Sequence, residues 1–188
     1  MSRIVFCLLL ALSLASAQDN SFSAESFIRY DASRPGEVWS ATAAIESLEL
    51  SLDPNNVRAA QLSLSINSAS FHSGNILRDT NARRTVFDSG EFPLISFSSK
   101  RITSQSNQLL EDTETEVMVE GDLSMHGVTQ PLSLNVTVKR KGSSLNASGR
   151  FTVKLSDFAM SRPSLFGILV DDEVSVSFAL LEVQFRSP

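Results

Sequence analysis

Leu132-Ser133-Leu134-Asn135-Val136-Thr137-Val138 sets an apolar side chain at every second position, with short polar side chains between. A helix would scatter these residues around its axis, whereas a strand sends successive side chains to opposite faces. The stretch therefore reads as a strand with one dry and one wet face. The same rhythm recurs on both sides of it. Leu48, Leu50 and Leu52 alternate with Ser47, Glu49 and Ser51; Leu62, Leu64 and Ile66 have serines between them; Ile95 and Phe97 alternate with Ser96 and Ser98. Val117, Val119 and Leu123 alternate with Met118, Glu120 and Asp122, and Leu145, Ala147, Phe151 and Val153 share one parity. The last run holds Val174, Val176, Phe178 and Leu180, then changes parity to Leu181, Val183 and Phe185, which requires a bulge or a stretch buried on both faces. Serine is abundant, 32 residues in all, and its place at alternate strand positions makes it the wet face of a sheet.

Turn chemistry separates these runs. Asp53-Pro54-Asn55-Asn56 and Gly142-Ser143 read as hairpin connections. The exception to alternation is Gly74 to Phe87, where Ile76, Leu77, Thr80, Arg83, Arg84 and Phe87 fit helical spacing, with Asn75 as a cap and Ser89-Gly90 as the end. Ser156-Asp157-Phe158 marks a second, shorter helical piece. About eight strands at short spacing with one helical insert imply an all-β chain built as an antiparallel barrel or sandwich.

The N-terminus reads as a secretory signal. Arg3 supplies a positive start, Ile4 to Leu14 a short apolar run, and Ala15-Ser16-Ala17 a small-residue cleavage site. The expected organisation is a signal peptide at 1–17, a flexible leader at 18–25 and one domain at 26–186. Cleavage would leave 171 of the 188 residues, enough for one domain with a sizeable core, and would move the net charge from −5 to −6 by removing Arg3. The only cysteine, Cys7, would leave with the signal, so the mature chain has neither a thiol nor a disulfide. A negative net charge disfavours nucleic acid and anionic membrane surfaces overall, and no later apolar run approaches the roughly 20 residues of a membrane-spanning helix. The expected location is the periplasm or the medium.

Candidate chemistry is sparse. His72 and His126 are the only imidazoles, and neither has a partner at a metal-ligating spacing. His126 falls in Met125-His126-Gly127 between two alternating runs, where a hairpin turn accounts for it. The acidic run Glu111, Asp112, Glu114 and Glu116 reads as a solvated face, and Asp171-Asp172-Glu173 as the end of a turn, without the spacing of a calcium loop. There is no nucleophile elbow, Ser-x-x-Lys pair, Walker loop or dinucleotide fingerprint. No catalytic residue, metal or cofactor is expected, and the chain does not read as an enzyme; the alternatives are a barrel enzyme acting on a bound lipid with His72 or His126 as acid or base, or a structural or stress-response module with a protein partner. Two sequons, at Asn135 and Asn146, lie inside predicted strands. What stands out is apolar: 12 phenylalanines against one tryptophan, Trp39, and one tyrosine, Tyr30. Such side chains suit either a filled core or the wall of a lipid cavity.

Several segments are distinctive in combination. They include Gly74-Asn75, Arg78-Asp79 and Phe87-Asp88, then Phe92-Pro93-Leu94-Ile95-Ser96-Phe97-Ser98-Ser99. Gly121-Asp122-Leu123-Ser124-Met125-His126-Gly127-Val128-Thr129-Gln130-Pro131-Leu132 follows, and Ser156-Asp157-Phe158 and Gly167-Ile168-Leu169-Val170-Asp171-Asp172-Glu173-Val174 lie near the end. Taken in order, they resemble the YceI-like family of lipocalin-like polyisoprenoid-binding proteins, over essentially Ser26 to Phe185. The resemblance implies a lipocalin-like eight-stranded antiparallel β-barrel, closed partly by a short helical insert, whose channel holds an isoprenoid or other fatty lipid as ligand. On that basis the inward-facing, lipid-binding candidates are Leu62, Leu64, Ile66, Ile95, Phe97, Val117, Val119, Leu134, Val136, Phe151, Val174, Val176 and Phe178. Arg78, Asp79, Arg83 and Arg84 carry two readings, ion pairs with one another along the insert or contacts to a polar head group. A homodimer is left open. Each methylene moved into such a channel contributes about 0.8 kcal/mol, so about ten of them offset the cost of association.

Overall fold

The computed structural model describes residues 22–165 and 167–188, so the expected signal peptide and residues 18–21 of the leader lie outside the described residues. Alternation becomes strand wherever it was read. The strands are β1 (Phe27–Arg34), β2 (Glu37–Ala43), β3 (Ile45–Ser51), β4 (Gln61–Asn67), β5 (Leu94–Ser104), β6 (Glu114–Met125), β7 (Val128–Lys141), β8 (Ser144–Lys154), β9 (Ser164–Leu165), β10 (Ile168–Leu169) and β11 (Glu173–Gln184). Nine of them form one antiparallel sheet in the order β2-β1-β11-β8-β7-β6-β5-β4-β3, and β9 and β10 form a separate two-stranded ribbon that the sequence did not announce.

The two ends of that order meet through the chain itself. Only Ala44 separates β2 from β3, which makes them the two halves of one bent strand. Its first half pairs with β1, from Arg34↔Glu37 to Ile28↔Ala43, and its second half with β4, from Ile45↔Ile66 to Ser51↔Gln61. The sheet thus curls back on itself, and with the bent strand counted once the barrel has the eight staves expected. Where β2 runs past the end of β4, the insert fills the gap: Thr42 and His72 exchange backbone hydrogen bonds at 2.9 and 3.1 Å, and the Ala44 N–H donates to the Ser70 hydroxyl at 2.9 Å. Where β3 runs past the start of β1, the C-terminal tail fills it. There Leu52 N–H donates to Arg186 O at 2.8 Å and Arg186 N–H to Leu50 O at 3.0 Å.

Register shifts fall between Ile45 and Ser47, Ser99 and Arg101, and Leu180 and Val183. Each moves the inward parity by one residue, as from Phe97 to Ile102 on β5. The last makes the parity change in the final strand a bulge rather than a stretch buried on both faces; Glu182 takes a φ of 54° there, and its N–H donates to the Asn146 side chain at 2.8 Å. All three connections read as hairpins join antiparallel neighbours: Asp53–Asn56, followed by a 3-10 turn at Val57–Ala59, between β3 and β4, Gly142-Ser143 between β7 and β8, and His126-Gly127 between β6 and β7. At the last both φ values are positive, 52° and 73°, as a tight two-residue turn requires.

The insert leaves the end of the barrel that we call upper. Its helix α1 (Ile76–Asn81) begins at Asn75, whose side chain accepts the Leu77 and Arg78 N–H groups, each at 3.1 Å, and a π-helical turn, Ala82–Val86, continues it. The charged residues of the insert do not pair with one another. Arg78 instead reaches Glu37 of β2 at 2.6 Å, and Asp79 binds His72 and Ser73. These pairs fasten the insert to the barrel, which the spacing within the helix could not reveal.

Two apolar clusters face the inside of the barrel. The upper one includes Ile28, Phe71, Phe87, Ile95, Leu123 and Val174; the lower includes Leu48, Leu52, Val117, Val136, Leu145 and Val183. Phe97 and Phe178 pack against both.

Candidate functional site

Between the barrel walls lies an apolar cavity of about 260 Å³. One water needs roughly 10–15 Å³ by the same measure, so the space suits a ligand of many atoms. Leu62, Leu64 and Ile66 of β4, Ile95 and Phe97 of β5, and Val117 and Val119 of β6 line it, as do Leu134 and Val136 of β7, Phe151 of β8, and Val174, Val176 and Phe178 of β11. All thirteen residues expected to face inward are thus brought together in one wall. Strand parity carried that reading.

Parity missed the upper fringe. Tyr30, Trp39, Phe71, Arg78, Asn81 and Phe87 also line the cavity. Phe71 and Phe87 stack with ring centroids 4.7 Å apart, and Tyr30 leans on Phe71 at 5.1 Å. The Arg78 guanidinium lies 4.7 Å above the Trp39 ring while it pairs with Glu37, which neutralises its charge at the cavity edge. Burial pushes the Tyr30 phenol above its ordinary value, reinforced by the nearby Asp79 charge; a hydrogen bond with Trp39 and the Arg78 charge oppose the rise. The phenol, the indole, the guanidinium and the Asn81 amide give this end a few polar groups against an otherwise aliphatic and aromatic wall. Phe71 sits in a non-strand segment with no periodic mark, Phe87 carries only the helical spacing of the insert, and in β2 the inward residues Ala41 and Ala43 are too small to signal a face.

Mid-height geometry is set by two glycines. Phe97 on β5 and Phe178 on β11 stand four staves apart in an eight-stave ring, hence across the barrel from each other. Each ring lies over a glycine of the neighbouring strand. A Cβ on Gly121 would meet the Phe97 ring at 2.7 Å as well as the Ser98 carbonyl, and one on Gly149 would meet the Phe178 ring at 2.9 Å. The missing side chains let both rings lie along the wall and leave the middle of the barrel open.

The histidines hold loops. His72 Nδ1 pairs with the Asp79 carboxylate at 3.0 Å, His126 Nδ1 is 3.2 Å from the Phe158 carbonyl oxygen, and the His126 ring packs on Phe92 at 4.6 Å. For Asp79, burial raises the carboxyl pKa, but hydrogen bonds from the Ser73 hydroxyl and N–H and from His72 outweigh it and hold it below the ordinary value. Asp171 and Asp172 accept hydrogen bonds from the Ser33 and Ser156 hydroxyls, each at 2.6 Å, while Glu111 binds Arg140 at 2.8 Å. These carboxylates are used in fastening segments together.

Comparison with known proteins places this geometry. A solved structure of BcnA from Burkholderia cenocepacia superposes with a TM-score of 0.73 at 21% identity, covering 85% of this chain and 98% of that one. A polyisoprenoid-binding domain from Saccharophagus degradans superposes with a TM-score of 0.68 at 16% identity, covering 86% and 95%. Among curated relatives, a UPF0312 protein of Vibrio cholerae is 31% identical over 88 residues, a match spanning 46% of this chain and 43% of that protein. The model of the YceI-like domain matches residues 22–181, nearly the whole described barrel, and the chain therefore belongs to the YceI-like family.

Proposed function

We propose that this protein is an exported, non-catalytic carrier that sequesters an isoprenoid or similar long apolar lipid in its barrel. The observation that carries the reading is the apolar cavity, whose lining is aliphatic and aromatic apart from Ser96 of β5 and the upper fringe of Tyr30, Trp39, Arg78 and Asn81. A ligand that fits has a long apolar chain and a small polar end. β6, with 12 residues at about 3.3 Å each and a tilt of about 40°, makes the barrel about 30 Å tall, room for one extended chain. The polyisoprenoid-binding domain from Saccharophagus degradans, of the same fold, supports the ligand class, and the signal-like N-terminus supports export to the periplasm or medium.

The test is native mass spectrometry of the protein purified from its own host, followed by organic extraction. A stoichiometric polyprenyl species is expected, and added polyprenyl quinone should raise the Tm of stripped protein, as it must for any ligand that prefers the folded state. A bare mass together with an unmoved Tm would overturn the carrier reading.

A further inference from the structure

The insert has two faces. Arg78, Asn81, Ala82 and Val86 line the cavity. At about 100° per residue, Ile76, Leu77, Thr80, Arg83 and Arg84 fall on the other side, and all five are exposed. Ile76 and Leu77 are 79% and 80% exposed, more than any other large apolar side chain among the described residues. Single exposed apolar residues are ordinary, but here two adjoin two arginines whose side chains meet no carboxylate among the described residues. The acids that hold the insert are spent elsewhere: Asp79 on Ser73 and His72, and Glu37 on Arg34 and Arg78. On a chain of net charge −5 this face is a local exception, apolar at one end and basic at the other.

The geometry points to a bilayer carrying anionic head groups as the occupant of this face. Ile76 and Leu77 would enter the acyl boundary while Arg83 and Arg84 meet lipid phosphates, the division of labour of an interfacial helix. The inner face of the same insert is the cavity wall, so docking sets the upper end of the cavity against the membrane in which an isoprenoid resides. The inference rests on the lipid-carrier reading and supplies the surface from which the cargo is loaded.

Protein purified from cells that express the whole chain is sedimented with vesicles of phosphatidylethanolamine, alone or mixed with phosphatidylglycerol. The protein should sediment with the mixed vesicles and about tenfold less with the neutral ones. Arg83→Glu with Arg84→Glu should abolish the preference for anionic vesicles, and Ile76→Asp with Leu77→Asp should lower sedimentation to background. Both double variants should still take up a polyprenyl quinone delivered from cyclodextrin, which shows that they are folded and that the cavity is intact. Wild-type sedimentation of the Ile76→Asp, Leu77→Asp variant would overturn the proposal. So would failure of the native protein to sediment with either vesicle. Vesicle binding by a native protein that takes up no quinone would uphold the docking face and remove the carrier reading instead.

Discussion

The two ends of the barrel are built from different materials. The lower end is aliphatic, with Leu48, Leu50, Leu52, Val57, Leu109 and Val183 buried, and backbone hydrogen bonds lace its loops. Val57 N–H donates to Asn107 O at 3.0 Å, Leu109 N–H to Pro54 O at 2.8 Å, and the tail closes over Leu52. The upper end is aromatic, and there side chains add to the backbone bonds of Thr42 with His72 and of Asp171 with Ser33: the Phe71–Phe87 stack, the Arg78–Glu37 pair and the Asp79–His72–Ser73 group tie down the insert. Backbone lacing fixes a shape whatever side chains the loops carry, whereas side-chain fastening can be altered one residue at a time. The lower end therefore acts as a floor, and the upper end is where selectivity and access can be tuned.

The largest effect should come from the floor. Leu52 is 1% exposed, and Leu52→Ala should cost about 3–4 kcal/mol in urea unfolding while leaving ligand stoichiometry unchanged. A cost below about 1 kcal/mol would mean that the lower end yields as readily as the upper, and the contrast would fail. Next comes the waist between them. Gly149→Val sets a side chain against the Phe178 ring and the Asn135 carbonyl, the latter at 3.0 Å from the Cβ position. It should cost about 2–3 kcal/mol and push the ring into the lumen, so long polyprenyl chains lose affinity while short ones keep it, as measured by titration with a chain-length series. Equal affinity across the series would show that the two ends are not joined through this waist.

Smaller effects should appear at the upper end. Asn75→Ala removes the cap of α1 and should cost about 1 kcal/mol, seen as a shifted urea midpoint and faster proteolysis within the insert. The smallest effect is that of pH. The Asp79 carboxyl titrates below its ordinary value when folded, so its stabilising contribution is present above the unfolded pKa and is lost as pH falls through the folded one. Below about pH 4 the native protein should lose stability more steeply than Asp79→Asn, and the two curves should converge in strong acid. Parallel curves would free the insert from its carboxylate anchor.

Much of this was legible in the residues. The period of two gave the strands, their inward faces and hence all thirteen predicted wall residues, and the parity change after Leu180 marked the place of its bulge. Asn75 and the helical spacing gave the insert. What the sequence concealed depends on contacts between distant segments. Arg78 meets Glu37 across 41 positions, Phe178 lies on Gly149 only because of the register of β8 against β11, and Phe71 finds Phe87 through the path of a loop. Closure through Ala44 was hidden for the same reason, since nothing local distinguishes a bent strand that changes partners from two strands in a hairpin.

That change of partners has a kinetic meaning. Along β6 and β7 the ladder is unbroken from Glu114↔Lys139 to Met125↔Val128, so exposing an amide in its middle requires the whole wall to come apart. At the junction of the bent strand with the insert, the Thr42 and His72 exchange and the Ser70 hydroxyl stand in for a ladder. Sub-global opening there breaks a few bonds and leaves the wall standing, so in deuterium oxide the amides of Thr42, Ala44 and His72 should exchange well before those of β6 and β7.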